Sequence, residues 1–172
     1  MSSLLDYEVK EQEDLKSFLT FELDKELFAI EVHRVVEIQE LINITKIPNA
    51  PAHMAGVLNL RGRILPLIDT KVKFGLSPIE PTVNTCIVVI EMDIEGETTL
   101  VGTLVDGVRE VVSIPESEIQ KSPSIKAKFD LSYVNGTFKI KKDFVMLLDL
   151  NKTFAIESGS HHREQKEEKN IK

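Results

Sequence analysis

Short apolar segments with strand-like alternation follow one another along most of this chain. They are SFLTFEL, LFAIEV, ITKIP, GVLNL, RILPLI, NTCIVVIEM, TTLVGTLV, EVVSI, GTFKI and FVMLLDL. Val, Ile, Phe and Thr dominate these segments, and Gly, Pro, Asn and Asp separate them, which is typical of strands joined by turns. The hydrophobic pattern therefore predicts an all-β protein, mainly strands with a few short helices.

Two pairs of segments resemble each other within the chain. GVLNLRGRILPLIDTKVKF at 56–74 aligns without gaps on GTFKIKKDFVMLLDLNKTF at 136–154, and FAIEVHRVVEI at 28–38 aligns on VGTLVDGVREV at 101–111. The two matches occur in the same order, although chance similarity between short β-rich segments is an alternative explanation. The repeat predicts two similar small barrels of about five strands each, packed side by side.

Polar ends frame the predicted domain. Residues 1–14 are acidic and residues 157–172 are almost wholly polar, so neither segment buries enough to offset the entropy lost on ordering. We expect a flexible N-terminus and a disordered polar tail on either side of a domain over 15–156. Within that domain the first barrel is predicted at about 15–82 and the second at about 83–156. Exchange of terminal segments between the barrels stays open.

The composition is that of a soluble globular protein. The 172 residues are 42% hydrophobic and 28% charged, and no apolar run approaches the ~18–20 residues of a membrane span. The net charge of −7 disfavours a general nucleic-acid binder, because phosphate contacts need a basic face. The start of the chain also lacks the pattern of a secretory signal. We expect a cytoplasmic protein, without direct membrane insertion, whose partners are other proteins.

Catalytic constellations are missing from the sequence. The four histidines lack the spacing of a metal site, and there is no glycine-rich phosphate loop and no GxSxG elbow. The single cysteine, Cys86, lies in the strand-like TCIVVIEM and is expected to be buried as a small hydrophobe. Asp69 and Asp149 occupy equivalent repeat positions, where helix capping explains both better than acid–base catalysis does. We therefore expect no enzyme, no metal and no cofactor.

The stretch GVLNLRGRILPLID at 56–69 combines core positions with polar residues of opposite parity. Alternation predicts burial for its apolar positions Leu58, Leu60, Ile64, Leu65, Leu67 and Ile68. Asn59, Arg61 and Arg63 fall on the other parity and are expected to face outward. Gly62 favours a bulge or a close approach of another backbone. Gly56 is open to the same explanation or to a simple turn.

Several motifs together carry a resemblance to a known family. IPNAPAHMAGVLNLRGRILPLID, followed by TCIVVIEM and GTLVDGVREVVSI, resembles the CheW family of bacterial chemotaxis coupling proteins from about Phe18 to about Phe154. The resemblance implies two SH3-like β-barrels of about five strands each and a non-catalytic adaptor or scaffold in two-component signal transduction. Members of that family bridge the cytoplasmic tips of chemoreceptors, the methyl-accepting chemotaxis proteins, to the regulatory domain of the histidine kinase CheA. A location at membrane receptor arrays is implied as well.

The resemblance also implies which residues contact the receptor or the kinase. They are Val36, Glu37, Gly56, Asn59, Arg61, Gly62, Val105, Asp106 and Gly107. For Arg61 the alternative is a solubilising surface charge, for Val36 it is packing inside the barrel, and for Asp106 and Gly107 it is an ordinary turn. Arginine suits recognition because its fixed fork of donors can grip a carboxylate or a row of carbonyls on a partner helix. We expect the receptor site in a groove between the barrels.

A small-β-barrel nucleic-acid-binding protein is the alternative function. Such barrels often bind single strands through aromatic and basic faces. This chain has only two Tyr, no Trp and an acidic balance, so the sequence favours the adaptor.

Overall fold

The structure is a computed structural model that describes residues 15–41, 44–121 and 131–154. Its strands are β1 Leu15–Leu23, β2 Glu26–Glu31, β3 Val35–Glu40, β4 Met54–Leu60, β5 Arg63–Asp69, β6 Cys86–Ile94, β7 Glu97–Val105, β8 Gly107–Pro115, β9 Val134–Ile140 and β10 Asp143–Leu148. Two short helices, α1 Thr70–Lys73 and α2 Leu150–Phe154, follow β5 and β10. Single 3₁₀ turns lie at Val32–Arg34, Glu116–Glu118 and Leu131–Tyr133. The predicted all-β class with short helices is confirmed.

The strands form two five-stranded sheets of matching order. One sheet runs β8-β1-β2-β10-β9 and the other runs β3-β6-β7-β5-β4. Replacing each strand of β1–β5 by its counterpart in β6–β10 converts one order into the other. The pairs β2–β10 and β5–β7 are parallel, and the remaining neighbours are antiparallel. Both segment pairs that align in the sequence therefore lie on equivalent strands.

The strands of each repeat are divided between the sheets. β1 and β2 join β8, β9 and β10, while β6 and β7 join β3, β4 and β5. The chain crosses between the sheets at Val32–Arg34 and again at Asp106. The predicted boundary between 15–82 and 83–156 therefore separates the repeats and not the sheets. Sequence similarity identifies equivalent strands, but it does not say which copy a strand will pair with. The polar ends predicted at 1–14 and 157–172 lie outside the described residues.

In each sheet, a backbone bridge joins the segment that leaves one edge strand to the strand at the opposite edge. The segment after β3 reaches β4, where the Val57 N–H donates to the Thr45 carbonyl at 2.8 Å and the Thr45 N–H donates to the Val57 carbonyl at 3.3 Å. The segment after β8 reaches β9, where Gln120 and Thr137 exchange two bonds of 2.8 Å. These bridges cover edges that would otherwise be open to other chains.

Glycines make room for both bridges. A Cβ on Gly56 would lie 2.4 Å from the Thr45 carbonyl oxygen, and the φ of Gly56 is +154°. A Cβ on Gly136, the repeat equivalent, would lie 2.9 Å from Cγ2 of Ile119 and 3.0 Å from the Gln120 carbonyl oxygen. Of the two explanations that the sequence left open for Gly56, the close approach of another backbone is confirmed.

The hydrophobic core is continuous across the two sheets. Phe28 of β2 lies 5.5 Å from Phe74, which follows β5 of the other sheet, measured between ring centres, and Phe74 lies 5.4 Å from Tyr133. A smaller cluster lies within the β8-β1-β2-β10-β9 sheet, where the rings of Phe18 and Phe138 stack at 5.4 Å. Because the larger cluster draws buried side chains from both sheets, the sheets stabilise each other.

Aspartates begin the two short helices, as predicted. Asp69 Oδ1 accepts from the N–H groups of Lys71 at 3.0 Å and Val72 at 3.3 Å, and its Oδ2 accepts from the Ile79 N–H at 3.0 Å. Asp149 Oδ1 accepts from the Lys152 N–H at 3.1 Å. Both carboxylates are occupied with backbone donors, so capping explains them.

We expect Gly56→Ala to lower the free energy of unfolding by about 3 kcal/mol. The clash of the new Cβ costs ~1–3 kcal/mol, and the cost of holding alanine at a strained φ adds to it. Urea denaturation measures the change. Gly96→Ala is the matched control: Gly96 also has a positive φ, but an added Cβ meets nothing within 4 Å. That control is expected to cost only about 1 kcal/mol. Equal losses for the two variants would mean that the bridge at Thr45 imposes no packing constraint.

Candidate partner-binding surface

A tight hairpin turn between β4 and β5 presents Arg61. Arg61 and Gly62 have φ values of +51° and +85°, and Leu60 pairs with Arg63 directly across the turn. The Gly62 N–H donates to Asn59 Oδ1 at 2.9 Å, which fixes the turn. Arg61 therefore lies in the turn and not on a strand face. The bulge or close approach predicted for Gly62 is wrong: a Cβ there meets nothing within 4 Å, and the turn geometry accounts for the glycine.

The turn also explains why the predicted burial of Ile64 is wrong. Its side chain is exposed, with 72% of the residue accessible, whereas Leu58, Leu60 and Leu65 are buried as expected. Asn59 pairs with Ile64 across the hairpin, so both project from the same face. One continuous strand would bury Ile64. The two turn residues interrupt that strand and reset the alternation, so Ile64 faces outward.

Glu37 and Arg61, predicted on separate segments, are brought together. Arg61 Nη2 lies 3.5 Å from Glu37 Oε2, and the side chains are 82% and 23% exposed, respectively. Glu37 Oε1 also accepts from Gln39 Nε2 at 2.9 Å. Exposed ion pairs of this kind contribute roughly 0–1 kcal/mol, so Arg61 is oriented without being held tightly. Most of its donors are available to a partner.

Val36 and Ile38 form an apolar pair on the same strand as Glu37. They are 49% and 46% exposed, whereas Val35 packs against the core. The alternation along β3 puts these two side chains on the opposite face of the strand from Glu37. Val36 is therefore not packed inside the barrel. We call Val36, Glu37, Ile38 and Arg61 the Arg61 surface.

The remaining predicted residues lie in the framework. Gly56 is buried beside the Thr45 bridge, and Val105 and Gly107 are buried on either side of the crossing between the sheets. Asp106 itself is engaged in that crossing, where its Oδ2 accepts from the Asp24 N–H at 2.8 Å. The structure does not join these four residues to the Arg61 surface by any described polar contact. Their role in partner binding stays a prediction.

Arg109 pairs with Glu22, a contact that the sequence does not indicate. Its Nε and Nη2 lie 3.2 Å and 2.9 Å from Glu22 Oε2, which ties β8 to β1. The two residues are 87 positions apart, so no local signal identifies the pair. Only the pairing of β1 with β8 would have indicated it.

Metal and thiol chemistry find little support in the described part of the chain. No group of three or more His, Cys, Asp or Glu side chains there is arranged to hold a metal ion. Burial raises the pKa of the Cys86 thiol, and a hydrogen bond with the Val108 backbone offsets that rise only in part. None of the described helices is long and apolar enough to cross a membrane.

We expect Cys86 to react with a disulfide reagent at pH 8 more slowly, by roughly several-fold, than the same thiol in urea, because burial raises the pKa of the thiol and less of it is ionised in the fold. The raised pKa means that its contribution to stability is complete below the pKa of the unfolded thiol. It is lost as the pH rises through the pKa of the folded state. Thiol titration against time checks this, with the urea-unfolded chain as the control. Cys86 is partly and not fully buried, and equal rates in the two states would contradict that partial burial.

The two five-stranded sheets exchange strand pairs, and one of them carries the exposed strand and hairpin. This architecture is that of the double SH3-like β proteins. Residues 17–158 match the family model described as the CheW-like domain. The chain belongs to the CheW-like domain family.

Relatives and a solved structure agree with this assignment. The chain is 31% identical to the chemotaxis protein CheW of Rhizobium meliloti over 83% of this chain and 89% of that one. It is 32% identical to the chemotaxis protein CheW of Klebsiella aerogenes over 83% of each. The crystal structure of the scaffolding protein TtCheW from Thermoanaerobacter tengcongensis is similar with a TM-score of 0.71 and 32% identity, over 81% of this chain and 87% of that one.

Proposed function

We propose that this chain is a non-catalytic chemotaxis adaptor that couples methyl-accepting chemoreceptors to the histidine kinase CheA, so that receptor state controls kinase activity. The names of its relatives and of the similar scaffolding protein support this role. Such an adaptor works in the cytoplasm beside membrane receptor arrays and needs no cofactor. The observation that carries the proposal is the approach of Arg61 to Glu37 at an exposed surface.

The chemistry of the Arg61 surface suits a helical partner. The Arg61 side chain is 82% exposed and makes only one described ion pair, at 3.5 Å, so its guanidinium keeps donors for carboxylates or carbonyls at the end of a helix. Glu37 orients the guanidinium and would repel a partner carboxylate placed on the wrong side. Charges of this kind set the register and speed of association more than the affinity.

Apolar contact supplies affinity in this arrangement. Val36 and Ile38 are close to half exposed on the outer face of β3, at the edge of their sheet. Burying such side chains against a partner yields roughly 25 cal/mol per Å² of apolar area removed from water. A receptor tip or kinase domain that contacts the outer face of β3 and the neighbouring hairpin turn would use the apolar pair for binding strength and the charged pair for orientation.

We expect Arg61→Glu to weaken binding of the CheA regulatory domain, of a receptor-tip fragment, or of both, by at least ~10-fold, because the substitution sets two carboxylates side by side. Isothermal titration calorimetry with each partner from the same organism measures the change. Arg63→Glu is the matched control, since it changes the charge by the same amount at an exposed neighbouring position.

The double variant Glu37→Arg with Arg61→Glu restores the ion pair with reversed polarity. If Arg61 acts on the partner directly, the double variant stays impaired even though the pair within the chain is rebuilt. If it recovers full binding, the arginine only orders its own hairpin. Arg61→Glu binding both partners like the unaltered chain would overturn the proposed site.

We expect Val36→Asp to weaken the same titrations by about 10-fold or more, because a carboxylate replaces an apolar anchor at the contact. Val83→Asp is the control, since Val83 is 100% exposed and is not part of the Arg61 surface. Circular dichroism and the melting temperature confirm that both variants remain folded. Equal effects of the two substitutions would assign the loss to net charge and would remove β3 from the contact.

A further inference from the structure

The second half of the chain carries an exposed aromatic side chain outside the Arg61 surface. Phe144 is 50% exposed, and the Nζ of Lys139, its partner across the β9–β10 hairpin, lies 4.7 Å from the centre of the ring. Phe144 is the repeat equivalent of Ile64. Phe144 and Lys139 line one open groove together with Ser117, Glu118, Gln120, Thr137 and Phe138. We call it the Phe144 groove.

The hairpin beside the groove is basic on an otherwise acidic protein. Lys139, Lys141 and Lys142 are all exposed there, and Asp143 is the one acidic residue from Lys139 to Phe144. The chain as a whole has a net charge of −7. An occupant of the groove therefore needs an apolar side chain for Phe144 and negative charge for the lysines. Glu118 also lines the groove, so negative charge on an occupant is favoured beside the lysines and disfavoured beside Glu118.

Residues 1–14 of the same chain have this composition. MSSLLDYEVKEQED contains five acidic residues and one lysine, and its apolar side chains Leu4, Leu5, Tyr7 and Val9 lie close together in the sequence. The segment joins the described structure at Leu15, which pairs with Pro115. The next residue, Glu116, begins the 3₁₀ turn that supplies Ser117 and Glu118 to the groove. Glu116 Oε1 lies 3.4 Å from Lys16 Nζ.

We propose that residues 1–14 dock in the Phe144 groove, with apolar side chains against Phe144 and carboxylates towards the lysines of the β9–β10 hairpin. Fourteen residues span up to ~45 Å when extended, so the groove is within reach. Tethering gives an effective concentration of about millimolar, which allows a weak contact to form. A segment too polar to fold alone can still order on a preformed surface. The inference does not depend on the proposed function.

The full chain provides its own fluorescence test, because it contains no Trp. Tyr7→Trp introduces one tryptophan into the segment. Docking is expected to shift its emission to shorter wavelength and to lower its acrylamide quenching constant about twofold relative to the same chain with Phe144→Ser. The matched control adds Ile64→Ser instead, which removes the equivalent exposed side chain on the other sheet. We expect this control to leave both signals at their docked values.

Two further measurements sharpen the test. Lys141→Glu with Lys142→Glu is expected to release the tryptophan as Phe144→Ser does, because the lysines would become repulsive. Dilution should leave the signals unchanged if the contact is within one chain, and a concentration-dependent signal would mean a second copy and overturn the proposal. Water-like emission in all variants, or equal release by Ile64→Ser and Phe144→Ser, would overturn it as well. Melting temperatures verify that each variant is folded.

Discussion

The exchange of strand pairs between the two halves is the constraint on which the rest of the structure depends. β2 pairs in parallel with β10, and β7 pairs in parallel with β5, so neither sheet is complete without strands from the other half. The Thr20 hydroxyl donates to the Glu110 carbonyl at 2.8 Å and accepts from its N–H at 3.1 Å, which fastens β1 to β8 across a large separation in sequence. Because Phe28 and Phe74 are also in contact across the two sheets, we expect one cooperative unfolding transition and not two.

The Arg61 surface is a consequence of this closure. Thr45 pairs with β4, so the segment that leaves β3 is held against the edge strand of the β4–β5 hairpin. That contact requires Gly56, whose missing side chain lets the two backbones meet. It also brings the turn of the hairpin to β3, where Arg61 approaches Glu37. A buried glycine thus positions the exposed arginine. A defect at Gly56 would weaken binding through the shape of the surface.

The features that could be predicted from the sequence depend on local chemistry. The aspartate at the start of α1, the strand character of the apolar segments and the close approach at Gly56 each follow from residue type within a short window. The predicted burial of Ile64 is wrong because the alternation of β4 does not continue through the two-residue turn at Arg61 and Gly62, a turn that the apolar pattern alone does not indicate. The exchange of strands and the pairing of Arg109 with Glu22 depend on which distant copy pairs with which. No local pattern contains that information.

Comparison of the two halves separates framework from surface. Gly56 and Gly136 both make room for a closing bridge, and both halves begin a short helix with an aspartate. The hairpin tips differ: Arg61 and Gly62 in one half correspond to Lys141 and Lys142 in the other. Packing constrains the glycines and aspartates in the same way in each half, whereas the exposed tips meet no such constraint. Different tips on equivalent sheets allow one small protein to present two unlike surfaces, so its two sides need not bind the same partner.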